Sequence, residues 1–327
     1  MNTLRRNALA LSAWLVLSGL AVPPAFAQAW PAKPVRLVVG FAPGGAADYV
    51  ARTISEPLGR ALGQTVVVDN RVGAGSSIAA DFVAKSAPDG YTLLIASPSS
   101  ISVNPALNAK LSYSAKDLAP IAKITASPLV VAVNPGSGIA SIQELIATAK
   151  KKPGALNYTS SGNGSAPHLG AVQFSKVAGV EMTHIPYKGG APAIQSVVAG
   201  DTQLTFGTPP SVLPMVQAGR LRALAVTSLA RSPLVPDVPG MQEAGLPGYS
   251  MSFWYGLFVP SGTPPEVMKR IFEATQEAMM RPDVKSALAR EGTEVALSRS
   301  PEEFAAFLVE DGKFWVRLVK ESGAKID

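Results

Sequence analysis

Two glycine-rich turns, residues 40–48 and 160–168, contain the residues whose types and spacing best suit ligand binding. The first turn reads GFAPGGAAD and the second turn reads SSGNGSAPH, and neither contains a lysine or an arginine. Each follows a short β-forming run and precedes a helical pattern. Glycine lets backbone N–H groups come close to a ligand, and unpaired N–H groups at a helix N-terminus carry partial positive charge. The two turns therefore predict a site that holds a dicarboxylate, or one carboxylate from both sides, without a cationic side chain.

Polar residues near these turns each allow two interpretations. Asp48 stands in the first turn of a predicted helix, where the helix dipole favours an aspartate without any ligand. In the second interpretation, Asp48 contacts the ligand through water or forms a hydrogen bond with a ligand amine or hydroxyl. His168 either braces its loop or contacts the ligand, whereas His184 lies in an apolar run and is expected to be structural. The segment 97–104, SPSSISVN, forms either a third wall of the site or a polar turn.

The residues that common catalytic sites need are missing. Gly40, Gly44 and Gly45 do not fit the dinucleotide pattern GxGxxG, and no phosphate loop of the type GK[ST] occurs. Serines near glycine, such as Ser76, stand outside GxSxG. The two histidines have no nearby carboxylate at a spacing that orients an imidazole or completes a metal site. We therefore expect no catalytic residue, no cofactor and no metal.

Residues 1–27 have the pattern of a secretory signal peptide. Arg5 and Arg6 precede the apolar run 8–22, and residues 25–27 supply a small-x-small cleavage site. The alternative, a retained anchor helix, is disfavoured because the run is short. The chain has no cysteine, which removes lipid attachment, disulfides and thiolate chemistry. We expect a periplasmic protein exported by this N-terminal signal peptide.

Charge and composition exclude a nucleic-acid partner. The formal net charge is +6, but the longest basic run is Lys150–Lys152, and no basic stripe with interleaved aromatics is visible. Apolar residues make up 47% of the 327 residues, which is enough for one large core or two smaller ones.

Apolar β-runs alternate with helical patterns along the chain, which is typical of α/β layers with mostly parallel sheets. Between the first two runs, Val50, Ile54 and Leu58 recur at helical spacing, although we expect Pro57 to kink or shorten that helix. The predicted strands are residues 35–41, 65–68, 91–96, 129–133, 182–185, 204–206, 221–226 and 253–259.

The domain organisation is predicted to be discontinuous. The strand-loop-helix unit at residues 35–62 is echoed at residues 156–178, which indicates two similar α/β lobes. After the signal peptide, we predict that lobe 1 contains residues 28–127 and 249–327 and that lobe 2 contains residues 128–248.

Six motifs follow one another in order: WPAKPVRLVVGFAPGGAAD at 30–48, VDNRVGAG at 68–75, APDGYTLL at 87–94, HIPYKGG at 184–190, LAVTS at 224–228 and WYGLFVP at 254–260. With them, nearly the whole mature chain resembles the tripartite tricarboxylate transporter substrate-binding proteins, the Bug family of periplasmic receptors. Two positions depart from the family's pattern. Gly40 stands where the family usually has proline before Phe41, and Ala42 stands where proline is common.

The resemblance implies a two-lobed, periplasmic-binding-protein-like (type II) fold with a mixed, mostly parallel sheet in each lobe and a hinge. It also implies a monomer that captures a small organic acid between its lobes and delivers it to the membrane subunits of a tripartite tricarboxylate-type transporter. Two alternatives stay open. One is a secreted α/β enzyme that uses Asp48 and His168 as an acid–base pair, and the other is a receptor that reports ligand occupancy to a membrane sensor protein.

The predicted ligand-binding residues come from both turns, from the serine segment and from the second lobe. They are Phe41, Pro43, Gly44, Gly45, Asp48, Ser97, Ser99, Ser160, Ser161, Gly162, Gly164, Ser165, His168, Tyr187 and Thr208. In the family, loops that match Phe41 to Asp48 and Ser160 to His168 pinch the ligand carboxylate through backbone amides, hydroxyls and ordered waters. Tyr187 and Thr208 are expected to select among acids.

Overall fold

The structure is a computed structural model that describes residues 30–108 and 110–322. The predicted signal peptide, residues 1–27, lies outside these residues. The chain divides into two compact units, residues 1–32 and 33–327, and the second unit contains all the strands and helices of the described residues. None of the described helices is long and apolar enough to cross a membrane.

The described residues form two β-sheets. Their strands are β1 (Val35–Val39), β2 (Val66–Asn70), β3 (Thr92–Ala96), β4 (Leu118–Pro128), β5 (Val130–Val133), β6 (Asn157–Ser160), β7 (Thr183–Pro186), β8 (Leu204–Gly207), β9 (Arg222–Val226), β10 (Ser252–Pro260) and β11 (Glu294–Val295).

Helices connect most of these strands, and a π-helical turn at Ser99–Val103 follows β3. The helices are α1 (Ala46–Leu62), α2 (Ser77–Ala84), α3 (Asn104–Leu107), α4 (Ile142–Lys151), α5 (Ala166–Ala178), α6 (Gly190–Ala199), α7 (Pro209–Gln217), α8 (Pro265–Met280), α9 (Pro282–Arg290) and α10 (Pro301–Ser322).

The two sheets repeat one topology. The first sheet has the order β11-β4-β10-β3-β1-β2, and the second has the order β9-β5-β8-β6-β7. In the first sheet β1 to β4 run in one direction and β10 and β11 run against them, while in the second sheet β5 runs against β6 to β9. We call each sheet with its helices a lobe. The predicted α/β fold with mixed, mostly parallel sheets is confirmed.

Two crossings join the lobes, one between β4 and β5 and one between β9 and β10. The hydroxyl of the fully buried Thr227 links them, because it accepts a hydrogen bond from the Leu129 N–H (2.7 Å) and donates one to the Met251 carbonyl (2.7 Å). Both crossings are therefore tied to one side chain. The division into domains at residues 128 and 249 stays a prediction.

Helix α1 has the expected apolar face, but its proline does not end it. Val50, Ile54 and Leu58 are buried, and the helix continues through Pro57 to Leu62. It ends at Gly63, whose left-handed backbone (φ +82°) lets its N–H bond the Gly59 carbonyl, an arrangement that glycine adopts without strain.

The long strand β4 was not predicted from the sequence. Proline cannot donate to a strand ladder and so weakens the pattern of a strand, and β4 contains Pro120 as well as Pro128 at its end. Register shifts in the pairing of β4 with β10 accommodate the irregular strand. Strand β10 contributes Trp254 and Phe258 to the core, where both contact Phe304 of α10.

Candidate functional site

A cavity lies between the lobes, where strands of both sheets end and helices begin; we call it the first cavity. The first lobe contributes residues from the loop after β1, the segment after β3 and strand β10: Phe41, Gly45, Ala46, Ala47, Ser97, Ser99, Phe253 and Tyr255. The second lobe contributes residues around β6, β8, α6 and α7: Ser160, Ser161, Ser165, Ala166, Pro167, Gly190, Ala193, Ile194, Thr205, Gly207, Thr208 and Ser211. None of these described residues carries a charged side chain.

Helices α1, α5, α6 and α7 all begin at the first cavity. In the described part of the chain, the N–H groups of Ala46, Ala47, Ala166 and Gly190 have no hydrogen-bond acceptor. Helix α7 differs because it starts with two prolines, which lack an N–H, so it contributes its dipole and hydroxyls. Free N–H groups at converging helix N-termini favour a bound anion.

Hydroxyl groups supply further donors to the first cavity. Ser97, Ser99 and Thr205 are buried, and within the described residues their hydroxyls make no hydrogen bond. The same holds for Tyr255, which is 6% exposed. Burial raises the pKa of Tyr255, so its hydroxyl stays protonated and able to donate. A ligand is thus offered neutral donors from both lobes.

The carboxylate of Asp48 is used within its own loop. It accepts hydrogen bonds from the Gly44 N–H (2.9 Å), the Arg52 Nε–H (2.9 Å) and the Asn70 Nδ2–H (3.0 Å). Burial raises the pKa of Asp48, but the bonds from Arg52, Gly44 and Asn70 outweigh burial and hold that pKa below its usual 3.8. Asp48 does not line the first cavity, and its contacts support the bracing interpretation.

Two stacked histidines brace the second turn. The Nδ1 atom of His168 accepts a hydrogen bond from the Gly164 N–H (3.1 Å), and its ring stacks on His184 at 4.0 Å between centroids. The Nε2 atom of His184 lies 2.6 Å from the hydroxyl of Ser160, which lines the first cavity. Burial and the adjacent His184 lower the pKa of His168 to about 3, and burial lowers the pKa of His184 to about 4. Both rings are therefore neutral near pH 7.

A second cavity lies beside the first, and the two share Phe41 and Ser161. It is lined by residues 40–41 and 72–76 of the first lobe and by residues 161–163 and 186–188 of the second. These residues belong to the loops that follow β1, β2, β6 and β7. The second cavity therefore lies toward the β2 and β7 edges of the sheets.

The structure distributes the predicted site residues over three locations. In the first cavity it places Phe41, Gly45, Ser97, Ser99, Ser160, Ser161, Ser165 and Thr208. In the second cavity it places Gly162 and Tyr187, besides Phe41 and Ser161. Five of the predicted residues line neither cavity: Pro43, Gly44, Asp48, Gly164 and His168. Gly44 and Gly164 act as hydrogen-bond donors to Asp48 and His168 within the turns. The ligand contacts themselves stay a prediction.

Several lining residues were missed by the sequence analysis. Tyr255 and Thr205 belong to apolar strand runs, whose residues are expected in the core, so nothing local marks them as polar groups at a cavity. Gly190 did carry a usable signal, because the pair Gly189-Gly190 directly precedes a helical pattern, as the glycines of the two turns do.

Glycines bring the backbones of the two lobes into close contact around the cavities. A Cβ on Gly189 would lie 2.9 Å from the Cβ of Ala42, and a Cβ on Gly45 would lie 3.5 Å from the Gly190 nitrogen. A Cβ on Gly75 would lie 2.6 Å from the Asn163 carbonyl oxygen. The two lobes are therefore in contact at these glycines, and a larger residue there would hold the lobes apart.

Two lobes of one topology that enclose a polar cavity and share two crossings define a periplasmic-binding-protein-like fold. The family described as "Tripartite tricarboxylate transporter family receptor" matches residues 50–324, and the chain belongs to this family. It is 35% identical over 328 aligned residues to protein BugT of Bordetella pertussis (strain Tohama I), and the alignment covers 100% of both chains. The resemblance inferred from the motifs is confirmed.

Solved structures agree with this assignment. A protein of R. palustris solved with adipate has a TM-score of 0.87 and 33% identity, covering 91% of this chain and 100% of that chain. MatC from Rhodopseudomonas palustris with bound malate has a TM-score of 0.84 and 31% identity, covering 89% and 100%. The periplasmic binding protein BugD has a TM-score of 0.85 and 32% identity, covering 90% and 99%. The two-lobed fold predicted from the sequence is confirmed.

Proposed function

We propose that this protein is a periplasmic receptor that captures a small organic carboxylate between its lobes and delivers it to the membrane subunits of a tripartite tricarboxylate-type transporter. The lobes close on the acid by rotation at the two crossings that Thr227 links. One observation carries the proposal: among the residues that the structure describes, the lining of the first cavity combines free helix N-terminal N–H groups with unpaired hydroxyls and includes no charged side chain.

Neutral donors of this kind suit a carboxylate that must be bound and then released. Each charge-assisted hydrogen bond contributes more than a neutral one, and the helix dipoles add to it without a buried cation that would have to be desolvated. The adipate and malate in the two R. palustris proteins are small carboxylates, which supports the same ligand class here. The predicted signal peptide and the family of receptors support the periplasmic location.

A thermal-shift screen followed by calorimetric titration tests the proposal. The mature chain is mixed with mono-, di- and tricarboxylates and, as controls, with the uncharged amides in which every carboxylate of the same acid is replaced. Binding to the folded state stabilises it by about 2.7 kcal/mol at a ligand concentration of 100 times Kd, so at least one acid raises the Tm while its uncharged amide does not. A folded protein that no acid stabilises contradicts the proposal.

A further inference from the structure

The second turn contains the one asparagine of the sequence that is followed directly by glycine. Asn163 and Gly164 are the central residues of a β-turn, which the Ser165 N–H closes by a hydrogen bond to the Gly162 carbonyl (3.1 Å). Gly164 has a left-handed backbone (φ +71°) and Asn163 does not, which is the pattern of a type II turn. Because glycine has no Cβ, no side chain on residue 164 shields its backbone nitrogen from Asn163.

The side-chain amide of Asn163 is not held by the protein. Asn163 is half-buried and lines the second cavity, and its amide makes no hydrogen bond within the described residues. Its Cγ atom is an electrophile that the next backbone nitrogen reaches by rotation about the bond between Cα and the carbonyl carbon. The side chain can therefore turn toward that nitrogen without breaking a bond of its own.

This pair of residues is suited to deamidation, which converts asparagine to an acid without an enzyme. The Gly164 nitrogen attacks Cγ of Asn163. A bond forms between the two atoms, the bond from Cγ to the amide nitrogen breaks, and ammonia leaves with the proton of the Gly164 N–H. Water then opens the cyclic imide at either of its carbonyls and gives aspartate or isoaspartate. The sum is asparagine and water converted to an acid and ammonia, with no oxidant or reductant.

Two contacts hold the turn away from the geometry of this attack. A type II turn has a ψ angle of about +120° at its second residue, which points the next nitrogen away from the side chain. The Gly164 N–H donates to the His168 Nδ1 atom (3.1 Å). The Asn163 carbonyl oxygen faces Gly75 of the first lobe, where an added Cβ would lie 2.6 Å from it. Rotation of the peptide between Asn163 and Gly164 disturbs both contacts, so the histidine and the closed lobes slow the reaction.

We propose that Asn163 is a modification site at which this protein deamidates, and that the bond to His168 and the contact between the lobes control the rate. The product carries a carboxylate in the wall of the second cavity, beside the donors of the first cavity. Like charges repel, so the modified protein is a weaker receptor for an acid. The site itself does not depend on the proposed function, whereas protection by a bound acid and the loss of affinity rest on it.

Peptide mass spectrometry of the folded mature chain, incubated at neutral pH and 37 °C, tests the site. Asn157 is the reference within the same chain, because it is also half-buried with no side-chain hydrogen bond among the described residues but precedes Tyr158 in β6. Asn163 is expected to gain the mass of the acid at least about tenfold faster than Asn157. If Asn163 keeps its amide as long as Asn157 does, the modification site is ruled out.

The same measurement on variants and with added acid tests the control of the rate. His168→Ala removes the acceptor of the Gly164 N–H and is expected to speed the reaction about threefold or more. Asp48→Ala removes the brace of the first turn, so it controls for a general loss of stability and is expected to leave the rate within about twofold of wild type. Saturating adipate or malate, the acids in two of the solved structures, is expected to slow the reaction about threefold or more. Equal rates in the two variants, or no slowing by an acid that binds, contradict this control.

Calorimetric titration with the same two acids tests the consequence for binding. Asn163→Asp carries the charge of the product, and Asn163→Gln keeps an amide. The aspartate variant is expected to have a Kd about fivefold higher than the glutamine variant. Equal Kd values contradict the weaker receptor. If no acid binds the folded wild-type protein, the proposed function fails, while the rate of Asn163 against Asn157 still tests the modification site.

Discussion

The two turns at the first cavity share a backbone plan but are braced by different chemistry. In each, a glycine with a left-handed backbone donates its N–H to the side chain four residues later: Gly44 to Asp48 (2.9 Å) and Gly164 to His168 (3.1 Å). The aspartate is paired with an arginine, whereas the histidine is neutral and stacked on a second histidine. The two turns therefore share the orientation of their free N–H groups. They do not share the charge of the side chain that braces the turn, because Asp48 is ionised and His168 is neutral.

The largest expected effect comes from deleting one free N–H in each turn. Ala46 and Ala166 are the first residues of α1 and α5, where proline is tolerated, and α7 already begins with two prolines. Ala46→Pro and Ala166→Pro are each expected to raise the Kd of the best-binding acid by about 30-fold or more. Each loses a charge-assisted hydrogen bond, and the proline ring occupies the position of the lost N–H.

Ala46→Gly and Ala166→Gly keep the N–H and serve as controls in the same titration. Their Kd values are expected to stay within about threefold of wild type. If the proline variants fold and bind as tightly as the glycine variants, the turns do not hold the carboxylate.

The braces are expected to differ in their response to pH. The unfolded chain protonates His168 near pH 6.5, but the folded chain does so only near pH 3, so unfolding takes up protons and stability falls as the pH drops below about 6.5. Between pH 7 and pH 5 this residue accounts for a loss on the order of 2 kcal/mol. The lowered pKa of His184 acts in the same direction.

The pKa of Asp48 lies below 3.8, so its carboxylate stabilises the fold at neutral pH. This stabilisation is lost only as the pH falls below about 4. Urea unfolding at pH 5, 6 and 7 checks this difference. His168→Asn is expected to flatten the pH dependence, whereas Asp48→Asn is expected to lower stability without changing the slope. An unchanged slope in His168→Asn would show that this histidine is not the group that titrates.

A third experiment compares the left-handed glycines of the two turns. Gly44→Ala is expected to cost about 1 kcal/mol, because its Cβ meets only an ordinary contact at 3.7 Å. Gly164→Ala is expected to cost at least about 1 kcal/mol more, because its Cβ would lie 2.7 Å from the Asn104 Oδ1 atom. Gly63 is also left-handed, and a Cβ added there would have no atom within 4 Å. Gly63→Ala therefore measures the cost of the backbone conformation alone. Equal losses in all three would mean that the crowding at Gly164 is relieved without cost.

The smallest expected effect concerns the charge that faces Asp48. The Arg52 side chain is 56% exposed, so solvent screens its pair with Asp48. Arg52→Gln is expected to lower the free energy of unfolding by less than about 1 kcal/mol, less still at high salt, and to leave the Kd of the acid unchanged. A large loss of affinity would show that the charge of this brace does matter for binding.

Local patterns explain why the fold and the two turns were predictable. Alternation of apolar strands with helices, and glycine before a helix, are features of neighbouring residues, and they indicated both sheets and the first turns of α1 and α5. Gly190 at the start of α6 had the same glycine signal, and it lines the first cavity from the second lobe. The hydroxyls of Tyr255 and Thr205 lie within apolar runs, and their place at the cavity depends on the pairing of distant strands.

The braces could be named from the sequence but not explained by it. An aspartate and a histidine in the first turn of a helix each allowed a structural role and a binding role. The choice depends on partners far along the chain, such as Asn70 for Asp48 and His184 for His168. In the same way, Gly40 was visible as a departure from the family, but its reason is a contact with Ser76, 36 residues later, in the next loop.

Amide NMR during titration with the best-binding acid tests most directly that backbone N–H groups hold the ligand. The amide protons of Ala46, Ala47, Ala166 and Gly190 are expected to move downfield and to saturate together at the calorimetric Kd. If these four signals stay in place while the acid binds and shifts other residues, the N–H groups of the two turns are not the carboxylate site.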